Sequence, residues 1–148
     1  MPSLANQIVD AIETALRAAL EPATEVRRSP VDGTRKAPSV ALHRLAENFE
    51  TLATRKPGGE ERATLALVVR CFAEGDPWDA AADAASAAAH AALMGSSAVQ
   101  NLCASRRLVS IDASGEGMAD THGELAMRYE FVYVVRGDAL DAKPVQRI

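Results

Sequence analysis

The chain has 148 residues, a formal net charge of -4 and a 48% apolar content, with aromatics at only 4%. That length suits one domain with a real core, and that apolar content excludes a chain disordered throughout. Few aromatic platforms and no concentrated basic stripe argue against direct, specific nucleic-acid binding.

Chain order gives the elements. Ser3–Leu20 predicts a first helix, because Leu4, Ile8, Ile12, Leu16 and Leu20 recur as one apolar stripe. Asn6, Asp10, Glu13 and Arg17 keep its other side polar, and Glu21-Pro22 ends it. Asp10, Glu13 and Arg17 also argue against a secretory leader, and no apolar run is long enough to span a membrane. Thr24–Arg28 predicts a short strand. Ser29–Pro38 combines Pro, Asp-Gly and Pro, the chemistry of a turn-rich loop.

Ser39–His43 predicts another short strand. Arg44–Arg55 fits two periods: Leu45, Phe49 and Leu52 mark a helical face, whereas Phe49, Thr51 and Ala53 alternate as on a strand. A strand or irregular extension is the expectation. Lys56–Glu61 (KPGGEE) is expected to be an exposed tip. Thr64–Ala73 is a long apolar strand with Leu65, Leu67, Val69 and Cys71 on one face, which places it centrally or under cover on both sides.

Asp76–Leu93 (DPWDAAADAASAAAHAAL) predicts a long Ala-rich helix. Asp76 suits the N-cap and Pro77 the first helical position, and Gly95 supplies a stop after Met94. About a fifth of the chain is alanine, and this smooth helix can approach a sheet closely, with Trp78 as its anchor. Ser97–Cys103 predicts a short helical turn. Arg107–Ser114 predicts a strand whose apolar content is Leu108, Val109 and Ile111, and Gly115–Gly123 a loop. Glu124–Arg136 is a strong strand, with Leu125, Met127, Tyr129, Phe131, Tyr133 and Val135 on one face and Arg128, Glu130, Val132 and Val134 on the other.

The expected fold class is α+β: a single mixed, mostly antiparallel sheet with an N-terminal helix and a long Ala-rich helix packed on one face. Residues 1–138 form that one domain, and 139–148 are expected to be a flexible C-terminal tail.

Chemistry is hard to find. Of the three histidines, His90 has no acidic or cysteine neighbour at metal spacing, His43 falls in a strand and His122 in a Gly-flanked loop, and no HExxH or His/Cys cluster is present. Nucleophile elbows and phosphate-cradling glycine loops are absent; Gly115-Glu116-Gly117 is only a loop signal. Asp76, Asp79 and Asp83 read as early-turn acids favoured by the helix dipole. Cys71 and Cys103 make no disulfide framework. No catalytic residue, metal ligand or cofactor is expected. The basic pairs Arg27-Arg28, Arg35-Lys36, Arg55-Lys56 and Arg106-Arg107 read as solvated surface.

The order of elements resembles the phage tail terminator family, also described as minor tail or tail completion proteins of long-tailed phages. Leu4 to Asp138 carries the resemblance, through IVDAIETALRAAL, PSVAL, ATLALVVRCF, DPWDAAADA, SAVQNL before RRLVSIDAS, and ELAMRYEFVYVV. None of these is a catalytic signature; their order is the specific part. The resemblance implies a non-enzymatic protein whose copies form a hexameric ring. That ring caps the tail tube, ends its elongation and presents a surface to the head-completion or connector protein. It implies residence in the host cytoplasm during assembly and then in the virion tail, with origin in a phage or prophage, and no membrane partner.

Loops at Val31–Lys36, Arg55–Glu61 and Gly115–Gly123 offer charge for those contacts. Arg55, Lys56, Glu60, Glu61 and Arg62 are the first candidates for partner binding, followed by Glu116 and Asp120. Two rivals remain open at this point. One is a small-molecule-binding or regulatory α+β domain acting as a dimer, which needs a defined apolar pocket. The other is a small enzyme pairing His122 with Asp112 or Asp120, which needs them within hydrogen-bond reach in a cleft.

Overall fold

The computed structural model describes residues 2–28, 38–51, 59–75, 77–115 and 122–136. Chain order runs α1 (Leu4–Ala19), β1 (Glu25–Arg28), β2 (Ser39–Thr51), β3 (Glu60–Glu74), α2 (Trp78–Gly95), α3 (Ser97–Leu102), β4 (Ser105–Gly115) and β5 (His122–Arg136). The fold is α+β, with one five-stranded mixed sheet in the order β1-β2-β3-β5-β4. β1 runs parallel to β2; every other neighbour pair is antiparallel. The expected organisation therefore holds, with β3 as the middle strand.

All three helices serve one face of the sheet. α2 lies over β3 and β5, and α1 packs beside α2 and α3 and over β1 and β2. The core is what alternation requires: Leu65, Leu67, Val69 and Cys71 of β3 meet Met127, Tyr129, Phe131, Tyr133 and Val135 of β5, with Ile8, Ile12 and Leu16 of α1 above. Leu65 pairs with Phe131, and Leu67 with Tyr129, so the large side chains sit row by row. Helix α2 adds mainly Ala82, Ala89 and Leu93 to the buried set; its small side chains let it lie close to the strands.

The caps are local chemistry. The Ser3 hydroxyl accepts from the Asn6 amide at 3.2 Å and starts α1. Leu20, directly before Glu21-Pro22, is the C-cap. Asp76 lies outside the described residues; Pro77 stands at the cap position of α2, so the helix begins one residue later than expected. Gly95 is the last helical residue rather than the stop. Ser96 follows as C-cap of α2 and N-cap of α3, its hydroxyl accepting from the Val99 amide at 3.3 Å. Gly75 holds φ +127° between β3 and α2, a conformation that favours glycine.

Strand lengths bear out one sequence expectation and correct another. β2 continues through the ambiguous stretch to Thr51, and β3 begins at Glu60, inside the segment expected to be a tip. Pairing with β3 decides the first case, since Glu47, Phe49 and Thr51 register against Leu65, Ala63 and Glu61. Pairing with β5 decides the second, since Glu60 and Glu61 register against Arg136 and Val135. The turn-rich loop at 29–37, the loop at 116–121 and the tail at 139–148 lie outside the described residues.

Candidate functional site

Among the described residues no helix lies on the second face of the sheet. Its residues on β3 are Arg62, Thr64, Ala66, Val68, Arg70 and Phe72, flanked on β5 by Glu124, Ala126, Arg128, Glu130, Val132 and Val134. Near the middle lies an open depression of about 280 Å³ lined by Leu45, Val68, Arg70, Asp112, Ser114, Glu124, Ala126 and Arg128. Arg70 Nη1 donates to Glu124 Oε1 at 2.9 Å, and Ser114 Oγ approaches the same oxygen at 3.5 Å. The Arg70 Nε is buried and has no hydrogen-bond partner among the described residues. Charged side chains dominate its lining beside Leu45, Val68 and Ala126, and it is an open depression rather than the enclosed, mostly apolar cleft of a ligand pocket.

Of the sequence-predicted contact residues, the described ones are Glu60, Glu61 and Arg62. They start β3 and do not act as one patch. Strand alternation sends Glu61 to the helix side and Arg62 to the open face, where its guanidinium lies 3.6 Å from Glu50. Arg55, Lys56, Glu116 and Asp120 lie outside the described residues.

The features that sequence reasoning missed are the two long sides of the sheet. Among the described residues β1 covers β2 only over Ser39–Leu42, which leaves 44–51 unpaired on the side away from β3, and β4 is unpaired along its outer side. Among the described residues the exposed large apolar side chains are Leu45, Phe49, Val109 and Ile111, and every one lies on these two stretches. Each stretch also carries a bulge, at Leu45 and at Val109. Val109 and Ile111, read as apolar content of their strand, are at the surface because of the bulge and the peripheral position of β4. The signal lay in the sequence, because both strands lose strict alternation where a large apolar residue stands out of phase.

Arg106 corrects another expectation. Its Nη2 donates to the Met94 carbonyl at 2.8 Å, closing the C-terminal end of α2 instead of floating in solvent. Arg28 likewise bridges to α1 through Asp10 and Asn6. Arg17 adds a bond to the Val26 carbonyl at 2.9 Å.

The acid–base pair is not assembled. His122 stands beside Phe72 at a ring separation of 6.1 Å, whereas Asp112 registers against Ala126. Four strand positions separate those rows, roughly 13 Å. Asp120 lies outside the described residues.

Among the described residues no group of His, Cys, Asp and Glu side chains could hold a metal ion, and no helix is long and apolar enough to cross a membrane. Under the helices the titratable groups are set by burial. The Cys71 thiol is pushed up to about 12, and the Tyr129 phenol is raised as well, by burial first and by the neighbouring Cys71 second. Glu47 accepts from the Tyr133 hydroxyl, and burial raises its carboxyl above the usual range against the opposing pull of Arg44.

No protein-family profile matches the chain, and no curated protein matches it. Among solved structures it is similar to a chain of the virion of a native gene transfer agent (GTA) particle, at 16% identity and a TM-score of 0.46, over 88% of this chain and 93% of that one.

Proposed function

We propose that this chain is a structural protein of a virion tail, a terminator whose copies close into a hexameric ring on the end of the tail tube. It ends tube growth and offers its other face to a head-completion protein. It makes and breaks no covalent bond. The support is the order of sequence segments that resembles the terminator family, together with one observation of architecture: helices cover a single face of the sheet. The opposite face and both long sides are left for other protein surfaces. A head-to-tail contact repeated by rotation closes such a molecule into a ring. The protein assembles in the host cytoplasm and ends in the virion.

The test is a tube-elongation assay. Purified chain is added to polymerising tail-tube subunits and tube lengths are followed by electron microscopy. Tubes are expected to stop growing and to carry a six-fold cap at one end. Unchanged elongation with uncapped ends would refute the proposal. A dimer retaining a small molecule would favour a ligand-binding regulator instead.

A further inference from the structure

From the two uncovered sides of the sheet we infer that copies of this chain join edge to edge, the outer side of β4 in one copy pairing with residues 44–51 of β2 in the next. This rests on the ring reading above and names the surface that would close it.

Four observations converge. First, unpaired strand edges present rows of backbone donors and acceptors that readily template another strand. Both long sides have such an edge among the described residues, eleven residues long on β4 and, on β2, running along 44–51.

Second, the direction is right. β2 is antiparallel to β3, β3 to β5 and β5 to β4, so β4 runs opposite to β2. Copies placed side by side with the same face forward therefore bring the two strands together antiparallel. That arrangement is heterologous, the kind that closes rings.

Third, among the described residues the exposed large apolar side chains are confined to these two stretches: Leu45 at 43% and Phe49 at 44% on one, Val109 at 46% and Ile111 at 51% on the other. Single exposed apolar residues need no explanation, but here all of them fall on two matching edges.

Fourth, the charges complement each other. Residues 44–51 carry Arg44, Glu47 and Glu50, a balance of one positive and two negative, whereas Ser105–Gly115 carries Arg106, Arg107 and Asp112, two positive and one negative. Glu50 and Arg107 are the most available of these, with side chains 72% and 70% exposed, and both point to the open face. Pairing Arg107 with Glu50 sets Leu108 opposite Phe49 on the helix side. It needs a stagger of four residues relative to the rows of one sheet, in which Arg107 aligns with Ala46 through Glu130 and Ala66. Strands that tilt as a sheet closes take such staggers.

The experiment is a charge-reversal cycle read by sedimentation velocity over a concentration series, using Arg107→Glu, Glu50→Arg and the double variant of the full chain. Both positions form only exposed ion pairs, so the variants fold. Circular dichroism confirms folding before each run. Each single reversal is expected to weaken self-association by about tenfold, and the double variant to recover most of that loss. A wild type that assembles with no response to either reversal would overturn the interface while leaving the ring reading standing. A wild type monomeric at the highest attainable concentration would also overturn it. Assembly that responds as expected, from a chain that fails to stop tube growth, would support the interface and sink the functional reading alone.

Discussion

His90 Nδ1 on α2 lies 2.8 Å from the Tyr129 hydroxyl on β5, with the two rings stacked at a centroid separation of 5.8 Å. The same hydroxyl reaches Met127 Sδ at 3.6 Å. Tyr129 is among the largest fully buried side chains, so this bond is a buried polar tie between the alanine-rich helix and the sheet. Tyr129→Phe keeps the ring and removes the partner of His90. A loss of about 1–2 kcal/mol is expected, read as a lower urea midpoint at unchanged slope.

Gly123 supports the other end of the same helix. A Cβ there would meet Trp78 ring carbons at 2.6 Å and the Ser114 carbonyl at 2.7 Å. The carbonyl is backbone and cannot swing aside. Gly123→Ala is expected to cost about 1–3 kcal/mol and to shift the tryptophan emission, because the indole must leave its seat. An unchanged midpoint with unchanged emission would contradict this packing.

Sequence and structure agree where period and burial reinforce one another. The stripe of α1 and the alternations of β3 and β5 were legible because each buries one continuous face. The stretch from Arg44 to Thr51 was not, because Phe49 satisfies both periods and only the partner strand β3 decides between them. Glu60 and Glu61 read as a tip because Pro-Gly-Gly precedes them, yet strand pairing extends to both. The candidate site was less legible still. Charge at loops marked where contact was expected, whereas Leu45, Val109 and Ile111 read as apolar content of their segments. Their exposure follows from sheet order and from bulges, of which the broken alternation at Leu45 and Val109 is the local trace.

Glu47 makes stability depend on pH. Burial raises its carboxyl above the usual value near 4.5, so the folded state holds this proton more tightly than the unfolded one. That contribution is complete below the ordinary glutamate range and is lost as pH rises through the raised value. Glu47→Gln can still accept from Tyr133 and carries no charge. The variant is therefore expected to gain on the wild type between about pH 4 and pH 7, in paired denaturation curves. A constant difference across that range would show that the carboxyl is not perturbed.

The two free cysteines should report folding. Cys71 is buried with its thiol pushed up to about 12. Cys103 is half-buried, raised by burial against the opposing Arg106, and its thiol donates to the Val99 carbonyl at 3.1 Å. A thiolate-selective reagent at about pH 8 is expected to leave Cys71 untouched in the native protein and to modify Cys103 slowly. Both react once the chain is unfolded. Rapid native modification of Cys71 would mean that the sheet opens readily.

Native mass spectrometry of the concentrated protein bears most directly on the claim that the chain acts by fitting against copies of itself. A six-fold multiple of the 15.6 kDa chain, with no retained small molecule, is the expected result. A discrete dimer, or a single chain carrying a bound ligand at every concentration, would contradict it.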